Sequence, residues 1–145
     1  VDAKAQADFS QGGNFLNNRT EYYPDALYEA VKLLHDLYNI KIPIYITENG
    51  TYAIGEEPVD ETGMVEDNDR IRYVSGFLKS LEKALSEGYD IRGYYLWSLM
   101  DNFEWSAGSN YKFGITQVDK KTMELKPKKS AYFYKEHIEK AKNRE

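Results

Sequence analysis

Two short apolar runs, Ile44-Tyr45-Ile46-Thr47 and Ile91 to Trp97, constrain this chain more than any other feature. Both are rich in β-branched and aromatic residues and lack an alternating polar face, which is how strands buried on both faces read. Each run follows a stretch with helical periodicity. Pro24 opens the first helix, where its missing N–H does no harm. Leu27, Ala30, Val31, Leu34, Leu37 and Tyr38 then mark one apolar face. The second helix starts from a cap at Asp67 or Asn68 and carries Ile71, Val74, Phe77, Leu78, Leu81 and Leu85; Gly88 stands at its left-handed end. Beyond the second strand, Ile115 to Leu125 reads as a hairpin turning near Lys120-Lys121. Pro127 and Ser130 precede a last helix that ends near Ala141, with Ala131, Tyr134 and Ile138 on one face.

Helix, strand, helix, strand, hairpin, helix over residues 21–141, after a loop over 1–20, is an α/β order. It predicts a parallel sheet with crossover helices. Two parallel strands are too few for such a sheet, and alone they would leave unpaired edges. A complete (β/α)8 barrel needs about 250 residues, so 145 residues fit a piece of one. The first residues, Val1 to Gln11, read as mid-domain sequence.

Composition narrows the function classes. Hydrophobic residues at 41% and charged residues at 30% suit a globular fold. The net charge of −5 and the absence of a basic patch argue against nucleic acid. With no cysteine there is no disulfide or thiolate chemistry. No apolar run approaches 18 residues, so no membrane partner and a soluble portion are expected. No leader is evident, and a cytoplasmic setting is the working expectation. The sequon matches at Asn18 and Asn49 are of a kind that arises by chance. Thirteen Tyr, six Phe and two Trp suit stacking on sugar rings, and equally the filling of an α/β core.

Residues at the C-terminal ends of parallel barrel strands converge on one face. Glu48 follows the first strand and Trp97 closes the second, so a carboxylate and an indole should border one pocket. On these grounds alone Glu48 can be a nucleophile, a general base, a metal ligand or half of a structural ion pair. Carboxylates form glycosyl-enzyme intermediates, and neighbouring aromatic rings favour a sugar over a peptide or phosphate ester.

Thr47-Glu48-Asn49-Gly50 after an apolar strand resembles the nucleophile motif of the family 1 glycoside hydrolases. Leu96-Trp97-Ser98-Leu99-Met100-Asp101-Asn102-Phe103-Glu104-Trp105 resembles that family's sugar-binding stretch. Similarity runs from Tyr22 to Ile138, through Phe113-Gly114-Ile115 and Lys126 to Ala131. The resemblance implies the C-terminal part of a single catalytic TIM-barrel domain, its last two to three βα units. It also implies a retaining β-glucosidase-like activity on terminal β-linked glucose or related sugars, without a cofactor or metal. Carried over by position, Glu48 is the nucleophile and Trp97 the platform beneath the sugar. Glu104 accepts hydrogen bonds from hydroxyls far from the anomeric centre, Trp105 donates its indole N–H to another, and Phe113 lies near the hydroxymethyl group. Where the family often has Gly-Tyr and Arg-Phe-Gly, this chain has Gly108-Ser109 and Lys112-Phe113-Gly114. Lysine cannot make a planar two-pronged contact, which bears on the rim of the pocket. Glu104 points to neutral sugars rather than 6-phosphosugars.

Retaining glycosidases pair a nucleophile with an acid/base carboxyl about 5–5.5 Å away. The family's acid/base stretch, Thr-x-Asn-Glu-Pro, is absent, so an N-terminal barrel segment or chain of the same enzyme is the expected partner besides the β-glycoside. The alternatives are a non-catalytic sugar-binding or scaffold fragment, and a thioglucosidase, whose acid/base is replaced. A buried core Trp97 and a loop salt bridge at Glu104 are the bland readings. His35 and His137 fall on helices as surface or packing residues, and the acidic loop from Glu56-Glu57 to Glu66-Asp67 is expected to be solvated.

Overall fold

The computed structural model describes residues 15, 16, 18 and 20–143. Most of the loop expected over 1–20 lies outside the described residues. In chain order the elements are α1 (Asp25–Asp36), β1 (Ile44–Asn49), β2 (Ala53–Ile54), α2 (Asn68–Ser86), β3 (Ile91–Leu96), a 3-10 turn (Trp105–Ala107), β4 (Tyr111–Lys112), β5 (Thr116–Val118), β6 (Leu125–Pro127) and α3 (Lys129–Lys142). β1 and β3 pair in parallel, with Ile44 opposite Ile91, Ile46 opposite Tyr94 and Asn49 opposite Leu96. Helix α2 is the crossover between them. β5 and β6 form the expected hairpin, and the Asp119 carboxylate accepts the N–H groups of Lys121 and Thr122 at 2.8 Å to hold its turn. The antiparallel bridge of β2 to β4 is new: two residues are too short to show a period. It laces the loop after β1 to the loop after β3.

Helix α2 is the hub, packed on α1, α3 and β3. Its buried residues Arg70, Tyr73, Val74, Phe77, Leu78, Ser80, Leu81 and Ala84 recur at three- and four-residue steps and make one wide stripe. Tyr73, Val74, Phe77 and Leu78 form the core with Leu16, and Tyr22, Leu27, Tyr94, Leu96, Phe133 and Tyr134 pack around it. The helix ends as expected at Gly88, whose φ is 90°. Gly88 N–H reaches Leu85 O at 3.0 Å and Tyr89 N–H reaches Ala84 O at 3.2 Å, so two terminal carbonyls are satisfied.

Two expectations need correction. The apolar face of α1 is only half covered: Val31 is buried, whereas Leu34, Leu37 and Tyr38 are exposed. Strands β1 and β3 are likewise covered on one face only. Tyr94 and Leu96 pack toward α2, while Tyr45 and Tyr95 are exposed. The cause is the same in both places. The sequence is patterned for neighbours on both sides, and the described residues supply one side. They close no barrel; their strands form three two-stranded sheets.

Candidate functional site

The C-terminal ends of β1 and β3 lie side by side. Trp97 lies one residue past the end of β3 rather than closing it as expected, and its N–H donates to the Asn49 carbonyl at 3.0 Å, one more hydrogen bond between the two strand ends. Glu48 lies within β1, which runs two residues past the end at Thr47 expected from sequence, and it is exposed. Asn49, next to it, is anchored twice. Its Oδ1 accepts from the Tyr94 hydroxyl at 2.8 Å, and its Nδ2 donates to the Tyr73 hydroxyl at 3.2 Å. Burial pushes the Tyr94 and Tyr73 hydroxyls up, so both remain neutral far into alkaline solution, Tyr94 as the donor to Asn49 and Tyr73 as the acceptor from it. Gly50 is required by contact: a Cβ there would stand 1.8 Å from the Trp97 carbonyl oxygen. The Thr47-Glu48-Asn49-Gly50 stretch thus has a physical account residue by residue at its last two positions.

Trp97 is 40% exposed, so within this chain it is no core residue. The segment after it is laced to the segment around Phe113. Ser98 N–H reaches Phe113 O at 3.2 Å, Ile115 N–H reaches Ser98 O at 2.9 Å, and Asp101 N–H reaches Thr116 O at 2.9 Å. Glu104 precedes the 3-10 turn; its N–H meets Gly108 O at 2.8 Å and its Oε1 accepts the Asn102 amide. No ion pair of Glu104 is found among the described residues. Trp105 is 88% exposed. Phe113 is half-buried, its ring 5.1 Å from that of Tyr52, which in turn lies 4.7 Å from Tyr111. Glu48 thus presents surface near the end of β1, Trp97, Glu104 and Trp105 present theirs beyond the end of β3, and Phe113 leans on Tyr52.

Sequence reasoning missed a buried ion network beneath this face. Glu57 and Asp67 are not solvated: their side chains are 4% and 3% exposed and both meet the Arg70 guanidinium. Arg70 also donates to the Lys112 carbonyl. Lys128, fully buried, pairs with Glu57 and with Asp101, the latter at 3.0 Å. Asp67 further accepts Ser130 N–H at 2.9 Å and the Ser130 hydroxyl, so it caps α3 from another element. No pattern in the sequence flagged this network, because its partners come from loops far apart in the chain.

A cavity of about 350 Å³ opens beside this network, lined by Asn18, Tyr52, Glu57, Asp67 and Arg70 among others; neither Glu48 nor Trp97 borders it. The histidines fall as expected: His35 is exposed beside Asp36, 3.1 Å away, and edge-on to Tyr89, and His137 lies along α3. Among the described residues no group of His, Asp and Glu is arranged to hold a metal ion, and no helix is long and apolar enough to cross a membrane.

The family model of glycosyl hydrolase family 1 matches residues 3–143. The chain belongs to glycosyl hydrolase family 1. It is 38% identical over 143 residues to beta-glucosidase A of Acetivibrio thermocellus, covering 94% of this chain and 31% of that protein. It is 42% identical over 113 residues to a 6-phospho-beta-galactosidase of Leptotrichia buccalis, covering 78% of this chain and 24% of that one. The family 1 β-glucosidase of Thermotoga maritima, solved with isofagomine lactam, superposes with a TM-score of 0.81 at 35% identity, over 89% of this chain and 29% of that structure. This family 1 chain therefore spans about a third of the relatives it matches, and its fold is part of a TIM barrel, its C-terminal part.

Proposed function

We propose that this chain carries the nucleophile and part of the sugar pocket of a retaining β-glycosidase, completed by barrel strands outside the chain. The observation that carries the reading is the pairing of strand ends. The carbonyl of Asn49, next to Glu48, holds the N–H of Trp97, so a carboxylate and an indole occupy adjacent positions on the face where barrel active sites form.

In the first step a Glu48 oxygen attacks the anomeric carbon as the glycosidic C–O bond breaks. The leaving oxygen takes a proton from a carboxylic acid on the completing segment. In the second, water loses its proton to that same group, attacks the anomeric carbon and frees Glu48. Two inversions return the β-anomer. Trp97 serves as the platform under the ring, Glu104 and Trp105 bind hydroxyls far from the anomeric centre, and Phe113 closes the hydroxymethyl side.

The similarity to a 6-phospho-beta-galactosidase raises a second substrate class. Glu104 favours neutral sugars, because a carboxylate there would repel a phosphate dianion at short range. Two measurements on the complete enzyme test the proposal. Proton NMR of the first-formed sugar from a β-glucoside should show the β-anomer; the α-anomer would exclude double displacement. Glu48→Gly should lower kcat by about four orders of magnitude, and added azide should restore turnover as an α-glycosyl azide. Glu48→Gly with near-native kcat would overturn the assignment, and faster turnover of a 6-phosphoglucoside than of its neutral counterpart would overturn the substrate class.

A further inference from the structure

Lys128 joins the two loops that border the strand ends. Its ammonium contacts Glu57, on the loop that follows β1 and Glu48, and lies 3.0 Å from Asp101, on the loop that follows β3 and Trp97. The other end of the residue is fixed as well. Its N–H donates to Ile115 O at 2.8 Å, and α3 begins at the next residue. The side chain is wholly buried, and the carboxylates it meets are only 4% and 6% exposed. A buried pair of this kind contributes little net stability compared with an apolar replacement of equal size, so its presence is better explained by what it orients.

What Lys128 orients is close to the sugar residues. Asp101 Oδ1 also accepts Gly114 N–H at 3.0 Å, next to Phe113. Asn102, the neighbour of Asp101, donates to the Glu104 carboxylate. Asp101 is therefore tied by its own hydrogen bond to the residue after Phe113, and by chain neighbourhood to the residue that holds Glu104. We propose that Lys128 is a positioning residue of the sugar pocket, a buried cation that clamps the loop after Glu48 to the loop after Trp97. It touches no substrate. The proposal rests on the glycosidase reading above.

A clamp that acts through contacts made equally in ground and transition state raises KM when loosened and leaves kcat nearly unchanged, which is the split the proposal predicts. The test is steady-state kinetics of the complete enzyme on a neutral β-glucoside, at a temperature where circular dichroism shows each variant folded. Lys128→Met should raise KM about ten-fold with kcat within about two-fold of the parent. Asp101→Asn keeps an acceptor for Gly114 N–H but weakens the hold on Lys128, and should raise KM about three-fold with the same split. If Lys128→Met does not fold, Asp101→Asn decides alone. A folded variant with unchanged KM, or a fall in kcat without a rise in KM, overturns the clamp. A parent enzyme that turns over no glycoside overturns the glycosidase reading and the clamp with it; an active parent with unaltered variants overturns the clamp only.

Discussion

Gly50 meets the carbonyl of Trp97 so closely that any Cβ collides with it, and the collision partner is backbone, which cannot swing aside. Gly50→Ala should therefore cost about 2 kcal/mol or more, read as a lower midpoint in denaturant of the complete enzyme. A neutral effect would show that the two strand ends do not approach as described. Asn49 makes a finer case, because both ends of its amide are used, one by Tyr94 and one by Tyr73. Tyr94→Phe removes a single hydrogen bond and should cost about 1 kcal/mol, while Asn49→Leu strands two hydroxyls and should cost more. At this scale the placement of Glu48 and Trp97 beside each other at the two strand ends was legible, since a strand-end position is a matter of counting. Lys128 was not. A Lys-Lys pair before a helix reads as solvated, and only the fold brings Glu57 and Asp101 to it from 71 and 27 residues away.

Helix α2 carries the packing of the molecule, so it is where truncation should hurt most. Phe77 is buried and stacked on Tyr73 at 4.4 Å, and Phe77→Ala should cost about 3–5 kcal/mol. Asp67, at the start of α2, serves Arg70 and the first turn of α3 together. Asp67→Ala should cost about 3–5 kcal/mol by leaving a buried guanidinium short of a partner. The tyrosines between the elements set an alkaline limit. Burial raises Tyr73 on α2, Tyr94 on β3 and Tyr134 on α3 above the ordinary value of 10.0. A raised tyrosine stabilises fully below its unfolded value, and that stability is lost as pH rises through 10 toward the folded value. Unfolding midpoints should thus fall above about pH 10, and Tyr94→Phe should flatten that fall. The long helices were legible from their periodicity and both parallel strands from their unbroken apolar runs. The β2–β4 bridge was not, because two-residue strands are defined by their partner.

For the whole molecule, the informative surface is the uncovered one. Tyr45 and Tyr95 on the strands and Leu34, Leu37 and Tyr38 around the end of α1 are all exposed. The sequence pattern marks most of these as faces that need a cover, and the described residues leave them open. What the described residues lack is the remainder of the barrel. On its own the chain should bind an apolar dye strongly, and mixing with the segment that carries the other strands should suppress that signal; no suppression would contradict a barrel interface at these residues.

The central claim is that Glu48 becomes covalently bonded to the sugar. The direct measurement is intact mass followed by peptide mapping after the complete enzyme is incubated with a 2-deoxy-2-fluoroglucoside, whose glycosyl-enzyme turns over slowly. The account predicts a gain of one fluorosugar, located on the peptide that contains Glu48 and absent from Glu48→Gln. A gain located on any other carboxylate, or one that persists in Glu48→Gln, would contradict it.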